Sequence, residues 1–238
     1  MTLANLRREL AAAGDPRRAE SAVWFFKTGK GQYGEGDRFI GVPVPTLRKI
    51  ALRYTHLSFA DLKQLLASKI HEHRAAALEI LVAQYKSADA ARRQAIFDFY
   101  LANTARINNW DLVDASARDI VGGHLLTRDK KILYRLARSA SLWERRIAII
   151  ATLKFLKAGR TTETFRLAKL LLADPHDLIH KAVGWALREA GKISPGELRE
   201  FLEVNYEAIQ RTALRYAIER FSPAERKRWL VLKNRARK

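Results

Sequence analysis

The sequence predicts an all-α protein in which antiparallel helix pairs repeat along the chain. Apolar residues recur with the helical period through most of the 238 residues. Glycine and proline are scarce, at 12 and 6 residues, and strand-like alternation is hard to find. Short segments of similar pattern also recur at regular intervals. Together these features favour helices joined by short connections.

The helices can be placed in order from their apolar faces and from residues typical of helix starts. Residues 1–20 indicate one amphipathic helix, and residues 19–28 also have a helical pattern. Helical spacing returns at residues 47–54, 77–85 and 147–153. The candidate N-cap residues are Ser58, Asn109, Thr127, Ser141, Thr161 and Ser194. The connections are marked by Gly159, Gly191 and the prolines at 175, 195 and 223.

Residues 29–45 interrupt this pattern with five of the twelve glycines and two of the six prolines. They contain a G-x-G-x-x-G sequence at Gly29, Gly31 and Gly34. A dinucleotide-binding fingerprint needs a strand before it and a helix N-terminus after it, and neither is predicted here. We therefore predict a glycine-rich loop that contacts phosphate, with Lys30 as its candidate cation.

A basic residue followed by small or apolar residues recurs in successive helical segments. It stands at Arg74 in RAAAL, Arg146 in RIAII, Lys181 in KAVGW and Arg211 in RTALR. The intervals are 72, 35 and 30 residues, and a helix beginning at Asn109 would fill the gap in the longest one. This period predicts an α-solenoid of HEAT-like repeats, curved, with a basic concave face if these residues start the inner helices. The alternative is that these basic residues lie on solvated helix faces and bind nothing.

The charge of the chain indicates a polyanionic partner. Its 44 Lys and Arg exceed its 25 Asp and Glu, which leaves a net charge of +19. Nucleic acid is the first expectation, ahead of an anionic membrane surface or an acidic protein. The absence of cysteine excludes disulfides, thiolate zinc sites and cysteine nucleophiles. Without a signal peptide or a long apolar run, we expect a cytoplasmic protein without a membrane partner.

No metal or cofactor is predicted. His176 and His180 have the i,i+4 spacing of metal ligands, but no H-E-x-x-H pattern and no evident acidic third ligand accompany them. Ordinary surface or capping histidines are the better interpretation, for these two and for His71 and His73. Walker and G-x-S-x-G motifs are also missing from the sequence.

The segment NNWDLVDAS, residues 108–116, combines an aromatic residue with acids at a helix start. Asn109 can cap the helix, and Asp111 then lies at the positive end of its dipole. Trp110 and Asp114 are i,i+4 neighbours on one face. In a basic groove, Asp114 could meet a cationic ligand. A salt bridge to an arginine of a neighbouring repeat is an equally good interpretation.

The remaining tryptophans are less informative. Trp24 and Trp143 are predicted to lie in the core, as tryptophans with such spacing usually do. Trp185 follows Gly184, where another backbone can approach closely, and its periodicity leaves core and surface open.

Four segments in order along the chain resemble the AlkD family of DNA alkylation-repair glycosylases. They are FFKTGKGQYGEGDRFIGV at 25–42, NNWDLVDAS at 108–116, LWERRIAI at 142–149 and HKAVGWALRE at 180–189. The resemblance implies one domain over residues 1–238, with a basic tail at 233–238. It also implies a curved stack of HEAT-like helix pairs that binds duplex DNA, and hydrolysis of the N-glycosidic bond of cationic N3- and N7-alkylated purines. A monomer without strand-cleaving activity is expected.

The resemblance also implies roles for particular residues. It assigns the catalytic aspartate to Asp114, its aromatic companions to Trp110 and Trp185, and the arginine of the third segment to Arg146. Phe25 stands where the family has a tyrosine, and Asp177 and Leu178 stand where some members have paired phenylalanines. The expected DNA-binding residues are Arg74, Arg145, Lys181, Arg211, Lys30 and Phe25. The alternatives are a non-catalytic HEAT-repeat protein that binds DNA or structured nucleic acid, and a protein-binding scaffold.

Overall fold

A computed structural model describes residues 1–235, and this part of the chain is helical without a β-strand; Arg38 and Ile70 form an isolated parallel bridge. This confirms the predicted all-α fold. The helices are α1 (Leu3–Ala12), α2 (Pro16–Phe25), α3 (Val44–Ala51), α4 (Phe59–Leu66), α5 (His71–Ser87), α6 (Ala90–Ala102), α7 (Trp110–Ala117), α8 (Gly123–Leu125), α9 (Lys131–Ala137), α10 (Leu142–Lys157), α11 (Thr162–Leu171), α12 (Asp177–Ile193), α13 (Pro195–Asn205), α14 (Arg211–Ala217) and α15 (Pro223–Arg235). A π-helical turn at Arg118–Gly122 joins α7 to α8.

The chain forms two compact units, residues 1–120 and residues 121–238. In the first unit, α5 packs against α3, α4 and α7. In the second, α10 packs against α9, α11 and α12, and α12 packs against α14. The single domain, the curvature and the basic concave face stay predictions. Residues 233–235 of the predicted basic tail end α15, and its last three residues lie outside the described range.

Most of the predicted helix starts are confirmed. Ser58, Asn109, Ser141, Thr161 and Ser194 are the N-cap residues of α4, α7, α10, α11 and α13. Ser58 forms a capping box, because its hydroxyl accepts from the Asp61 N–H while the Asp61 carboxylate accepts from the Ser58 N–H. Hydrogen bonds of this kind satisfy amide groups that the first turn leaves without helical partners.

Three predictions of local structure were wrong. The N-cap of α9 is Lys130, not Thr127. Gly191 lies inside α12, where its missing Cβ makes room for Leu198. Residues 1–20 contain two helices, because Asp15 caps α2 and Pro16 occupies its first turn. Gly14 lies between these helices, so close to the Ile40 carbonyl oxygen that a Cβ would be 2.5 Å from it.

A repeated hydrogen-bond motif starts three long helices, and it shows the register of the repeats. A side chain in the first turn donates to the carbonyl oxygen six residues earlier. The pairs are Arg74 to Ser68 at 3.0 Å, Arg145 to Ser139 at 3.0 Å, and His180 to Asp174 at 2.5 Å. The side-chain oxygen of the same acceptor residue accepts the backbone N–H two residues later. The equivalent positions are therefore 74, 145 and 180, one residue earlier than the predicted Arg146 and Lys181.

Gly184 explains the tight packing of α12 against α14. A Cβ at this position would lie 2.5 Å from the Cβ of Tyr216 and 2.6 Å from the carbonyl oxygen of Ala213. Only glycine permits this approach without a shift of one helix. This confirms the close backbone approach predicted beside Trp185.

Candidate functional site

Helix α7 presents Trp110 and Asp114 one turn apart, with both side chains half-buried. Its start is defined by the buried Asn109, whose side-chain oxygen accepts the Trp110 N–H at 2.8 Å. The predicted i,i+4 arrangement is therefore present. The Tyr100 hydroxyl lies 3.0 Å from Ser116 Oγ of this helix. Burial raises the pKa of Tyr100, and the charge of Asp114 acts in the same direction.

Aromatic rings at the C-terminal end of α2 hold Trp110 in place. The Trp110 ring stacks on Phe26 with 5.5 Å between centroids, and Phe26 stacks on Phe39 at 5.1 Å. Phe25 meets Trp110 edge-on at 5.8 Å. Stacked and edge-on aromatic pairs stabilise a defined ring orientation. The fold therefore brings Phe25 and Trp110 together, although they are far apart in sequence.

The buried His71 connects this aromatic cluster to the start of α7. Its side chain is 4% exposed, with Nε2 2.7 Å from Asp111 Oδ2 and Nδ1 3.4 Å from Asp37 Oδ2. Its ring lies 4.9 Å from the rings of Phe26 and Phe39. Burial lowers the pKa of His71, but the hydrogen bonds to Asp111 and Asp37 outweigh it and raise the pKa to about 9.

His71 was not found as a site residue from the sequence. The sequence interpretation as a surface or capping histidine is wrong, because the side chain is buried between two carboxylates. These partners lie 34 and 40 residues away in the chain, and no local pattern indicates them. At neutral pH the group is an imidazolium that binds the loop and the first turn of α7 together.

We expect the protein to lose stability as the pH rises from about 6.5 to about 9. The folded-state pKa of His71 lies above the ordinary value, so its contribution is complete below the unfolded pKa and disappears as the pH passes the folded pKa. At about 1.4 kcal/mol per pKa unit, the loss approaches roughly 3 kcal/mol. Urea unfolding at several pH values measures it.

The matched variant for this measurement is His71→Gln, which keeps a hydrogen-bonding side chain but does not titrate. Its stability should be lower at pH 6.5 and nearly constant up to pH 9. The charged groups that face His71 are Asp37, Asp111 and Arg74. An equal slope with pH in the wild type and the variant would show that another group is responsible.

Arg74 lies in the interior, not on a surface that could contact DNA. Its buried guanidinium has Nη2 2.7 Å from Asp37 Oδ2, while Nη1 donates to the Ser68 carbonyl. Burial raises the pKa of Asp37, but the hydrogen bond from His71 and the charge of Arg74 outweigh it and hold the pKa below its usual value. This corrects the predicted placement of Arg74, since a buried charge needs an internal partner.

The glycine-rich loop is confirmed as a loop, and its second half is anchored. The buried Glu72 accepts the Gly41 N–H at 2.7 Å and the Ile40 N–H at 3.1 Å. Gly41 has a positive φ of 79°, and a Cβ there would lie 2.1 Å from the Asp15 carbonyl oxygen. Lys30 is exposed in the first half, where it remains available to an anion.

In the second unit, Arg145 and Arg146 have internal partners. Arg145 Nε lies 2.5 Å from Asp174 Oδ2, and Nη1 donates to the carbonyls of Ser139 and Ala140. Arg146 is buried, and its Nη1 donates to the Leu178 carbonyl at 2.5 Å. The burial of Arg146 argues against the solvated helix face that was the alternative for it, while the expected roles of Arg145 in DNA binding and of Arg146 in the site stay predictions. These contacts connect the start of α10 to the segment that begins α12.

The other predicted residues of this unit lie nearer the surface. Trp185 is half-buried on α12. Lys181 is half-buried and pairs with Asp177 at 2.7 Å, Leu178 is half-buried, and Arg211 is half-buried at the start of α14.

Two further expectations concern the tryptophans and the histidines. Trp24, predicted to be core, is 75% exposed, and Trp143 is half-buried. His176 caps α12 by accepting the Leu178 N–H, and His180 donates to the Asp174 carbonyl.

Among residues 1–235, no cluster of three or more acidic or histidine side chains is arranged to hold a metal. In the same range, none of the helices has both the length and the apolar composition of a membrane span.

A family model matches most of the chain, and solved structures share its fold. Residues 6–221 match the family described as "DNA alkylation repair enzyme". Among solved structures, the chain resembles a predicted DNA alkylation repair enzyme from Enterococcus faecalis, with a TM-score of 0.69 and 18% identity over 88% of this chain and 97% of that one. It also resembles AlkD2 from Streptococcus mutans, with a TM-score of 0.53 and 17% identity over 91% and 95%. No curated protein sequence matches significantly.

Proposed function

The chain belongs to the family of DNA alkylation repair enzymes, and from this premise we propose that it is a monofunctional DNA glycosylase. Its substrates are cationic N3- and N7-alkylated purines in duplex DNA. The observation that carries the proposal is the pair of Trp110 and Asp114 on α7, an aromatic ring and a carboxylate one turn apart. The His71 ion pairs hold the helix that presents them.

The chemistry of the substrate explains why a carboxylate suits this site. Alkylation at N3 or N7 makes the purine a cation, so the C1′–N bond can break without a general acid and the base leaves neutral. Positive charge then develops on the deoxyribose as an oxocarbenium-like ion. The Asp114 carboxylate stabilises this charge and orients a water molecule. The water oxygen bonds to C1′, and a proton of that water passes to solvent. Preorganised stabilisation of this kind contributes about 3 to 4 kcal/mol.

The aromatic residues bind the cationic nucleotide. Trp110 is held in place by Phe26, so its face is preorganised for contact with the sugar or the alkylated base. The family resemblance assigns a similar role to Trp185, which lies on α12 in the second unit. Each cation–π contact contributes roughly 0.5 to 2 kcal/mol.

Basic residues with access to solvent bind the phosphates. Lys30 in the glycine-rich loop, Lys181 and Arg211 have this access. Arg146 acts indirectly, because its hydrogen bond to Leu178 positions the first turn of the helix that carries Trp185. In this proposal the protein binds alkylated duplex DNA as a monomer and acts on the nucleoid in the cytoplasm.

The test is release of free base from methylated duplex DNA. We expect wild-type protein to release 7-methylguanine and to leave abasic sites that break only after alkali or heat. Unmethylated DNA of the same sequence is the control and should release nothing. Duplex binding without base release would overturn the glycosylase proposal and favour a non-catalytic DNA-binding role.

A further inference from the structure

The last turn of α2 forms an exposed apolar ridge of three consecutive residues. Val23, Trp24 and Phe25 are 48%, 75% and 54% exposed. No residue of α2 is buried, so this ridge is not the edge of a larger packed face. Isolated exposed apolar residues are common, whereas several large ones next to each other are a feature of binding surfaces.

Backbone contacts anchor both ends of the helix that carries the ridge. The Asp15 N–H donates to the Ile40 carbonyl at 3.0 Å, and Gly41 packs against the start of α2. After the helix, the hydroxyl and the N–H of Thr28 both donate to the Val23 carbonyl. The indole of Trp24 therefore extends from a backbone segment that is hydrogen-bonded on both sides.

The charges around Trp24 favour an anionic partner. Lys27 Nζ lies 4.9 Å from the centroid of the Trp24 ring, and Lys30 is exposed in the following loop. Arg17 is exposed two turns earlier on α2, with the acid Glu20 between them. A partner that offers both a flat apolar face and nearby negative charge matches this surface. A nucleobase on its phosphodiester backbone has both properties.

The ridge is also continuous with the candidate site. Phe25 contacts Trp110 edge-on, and Trp24 is the residue directly before Phe25 on the same helix. A nucleobase in a paired duplex hides both faces by stacking, whereas a base that has lost its partner can turn out and expose one.

We propose that Trp24 stacks on an unpaired nucleobase of the bound DNA, which makes the protein prefer DNA with a disrupted base pair. The inference rests on DNA being the substrate in the proposed function, and it assigns to Trp24 a contact separate from bond cleavage. An aromatic stack of this type changes affinity by about 5- to 150-fold.

The test compares two undamaged duplexes of identical sequence, one fully paired and one with a single unpaired base. Dissociation constants are measured for wild type, Trp24→Ala and Trp24→Phe, with Val204→Ala as the matched control because Val204 is an exposed apolar residue of the other unit, 77% exposed. We expect wild type to prefer the unpaired duplex. Trp24→Ala should lose at least 5-fold on that duplex and under 2-fold on the paired one. Trp24→Phe should keep most of the preference, and Val204→Ala all of it.

Three results would overturn the inference. The first is a wild type that binds both duplexes with equal affinity. The second is a Trp24→Ala variant that loses affinity equally for both duplexes. The third is a sedimentation experiment showing that the ridge joins two copies of the chain. Because undamaged DNA contains no cationic base, the outcome is independent of glycosylase activity. Failure of base release would therefore be distinguishable from failure of the stacking contact.

Discussion

Asp114→Asn is expected to reduce the rate of 7-methylguanine release by about two to three orders of magnitude, with little change in affinity for duplex DNA. The amide has the size of the carboxylate but carries no charge, so it cannot stabilise the oxocarbenium-like sugar. The rate is measured in single-turnover base release from methylated duplex DNA, and the affinity on undamaged duplex DNA.

The control for this prediction is Asp98→Asn, which makes the same change of charge at an exposed position of α6 in the same unit. Its release rate should equal that of the wild type. Asp111→Asn is a second comparison, because Asp111 binds His71 and its loss should lower stability more than catalysis. Full base release by Asp114→Asn in a clean preparation would remove Asp114 from the chemistry.

Arg74→Met is expected to destabilise the protein by roughly 3 kcal/mol. The substitution leaves the Asp37 carboxylate buried without its closest cation, and such losses usually cost about 3 to 5 kcal/mol. His71 remains near Asp37 and offsets part of the loss. Urea unfolding at pH 7 measures the change, and the double variant Asp37→Asn/Arg74→Met should recover most of it.

The same variant separates an internal role of Arg74 from the DNA contact that the sequence suggests. If the side chain is internal, the folded variant should keep the wild-type dependence of DNA affinity on salt. Lys30→Met is the comparison, because loss of one phosphate contact should lower the slope of log affinity against log salt by about 0.9. Unchanged stability with a reduced salt slope would restore Arg74 as a DNA contact.

Much of the fold could be predicted from the sequence because helices depend on local patterns. Apolar spacing and N-cap residues such as Ser58 and Asn109 act within one or two turns, so they are visible in a short window. The predictions for Thr127 and Gly191 were wrong because the neighbouring segments decide where such helices begin and end. The repeat was predicted in register at Arg74 but one residue late at Arg146 and Lys181, because the hydrogen bond to a carbonyl six residues earlier, which defines it, is not visible in a pattern of basic residues.

The sequence by itself determined the helical fold, a glycine-rich loop predicted at residues 29–45 whose last two residues instead begin α3, and the placement of Trp110 and Asp114 on one face of a helix start. Only the tertiary structure decided which charged and aromatic residues are buried. It places Arg74 and His71 inside the first unit and exposes Trp24, against expectation. The physical reason is that a buried charge is stable only with an opposite charge or a carbonyl oxygen beside it. Asp37 supplies that charge across the fold.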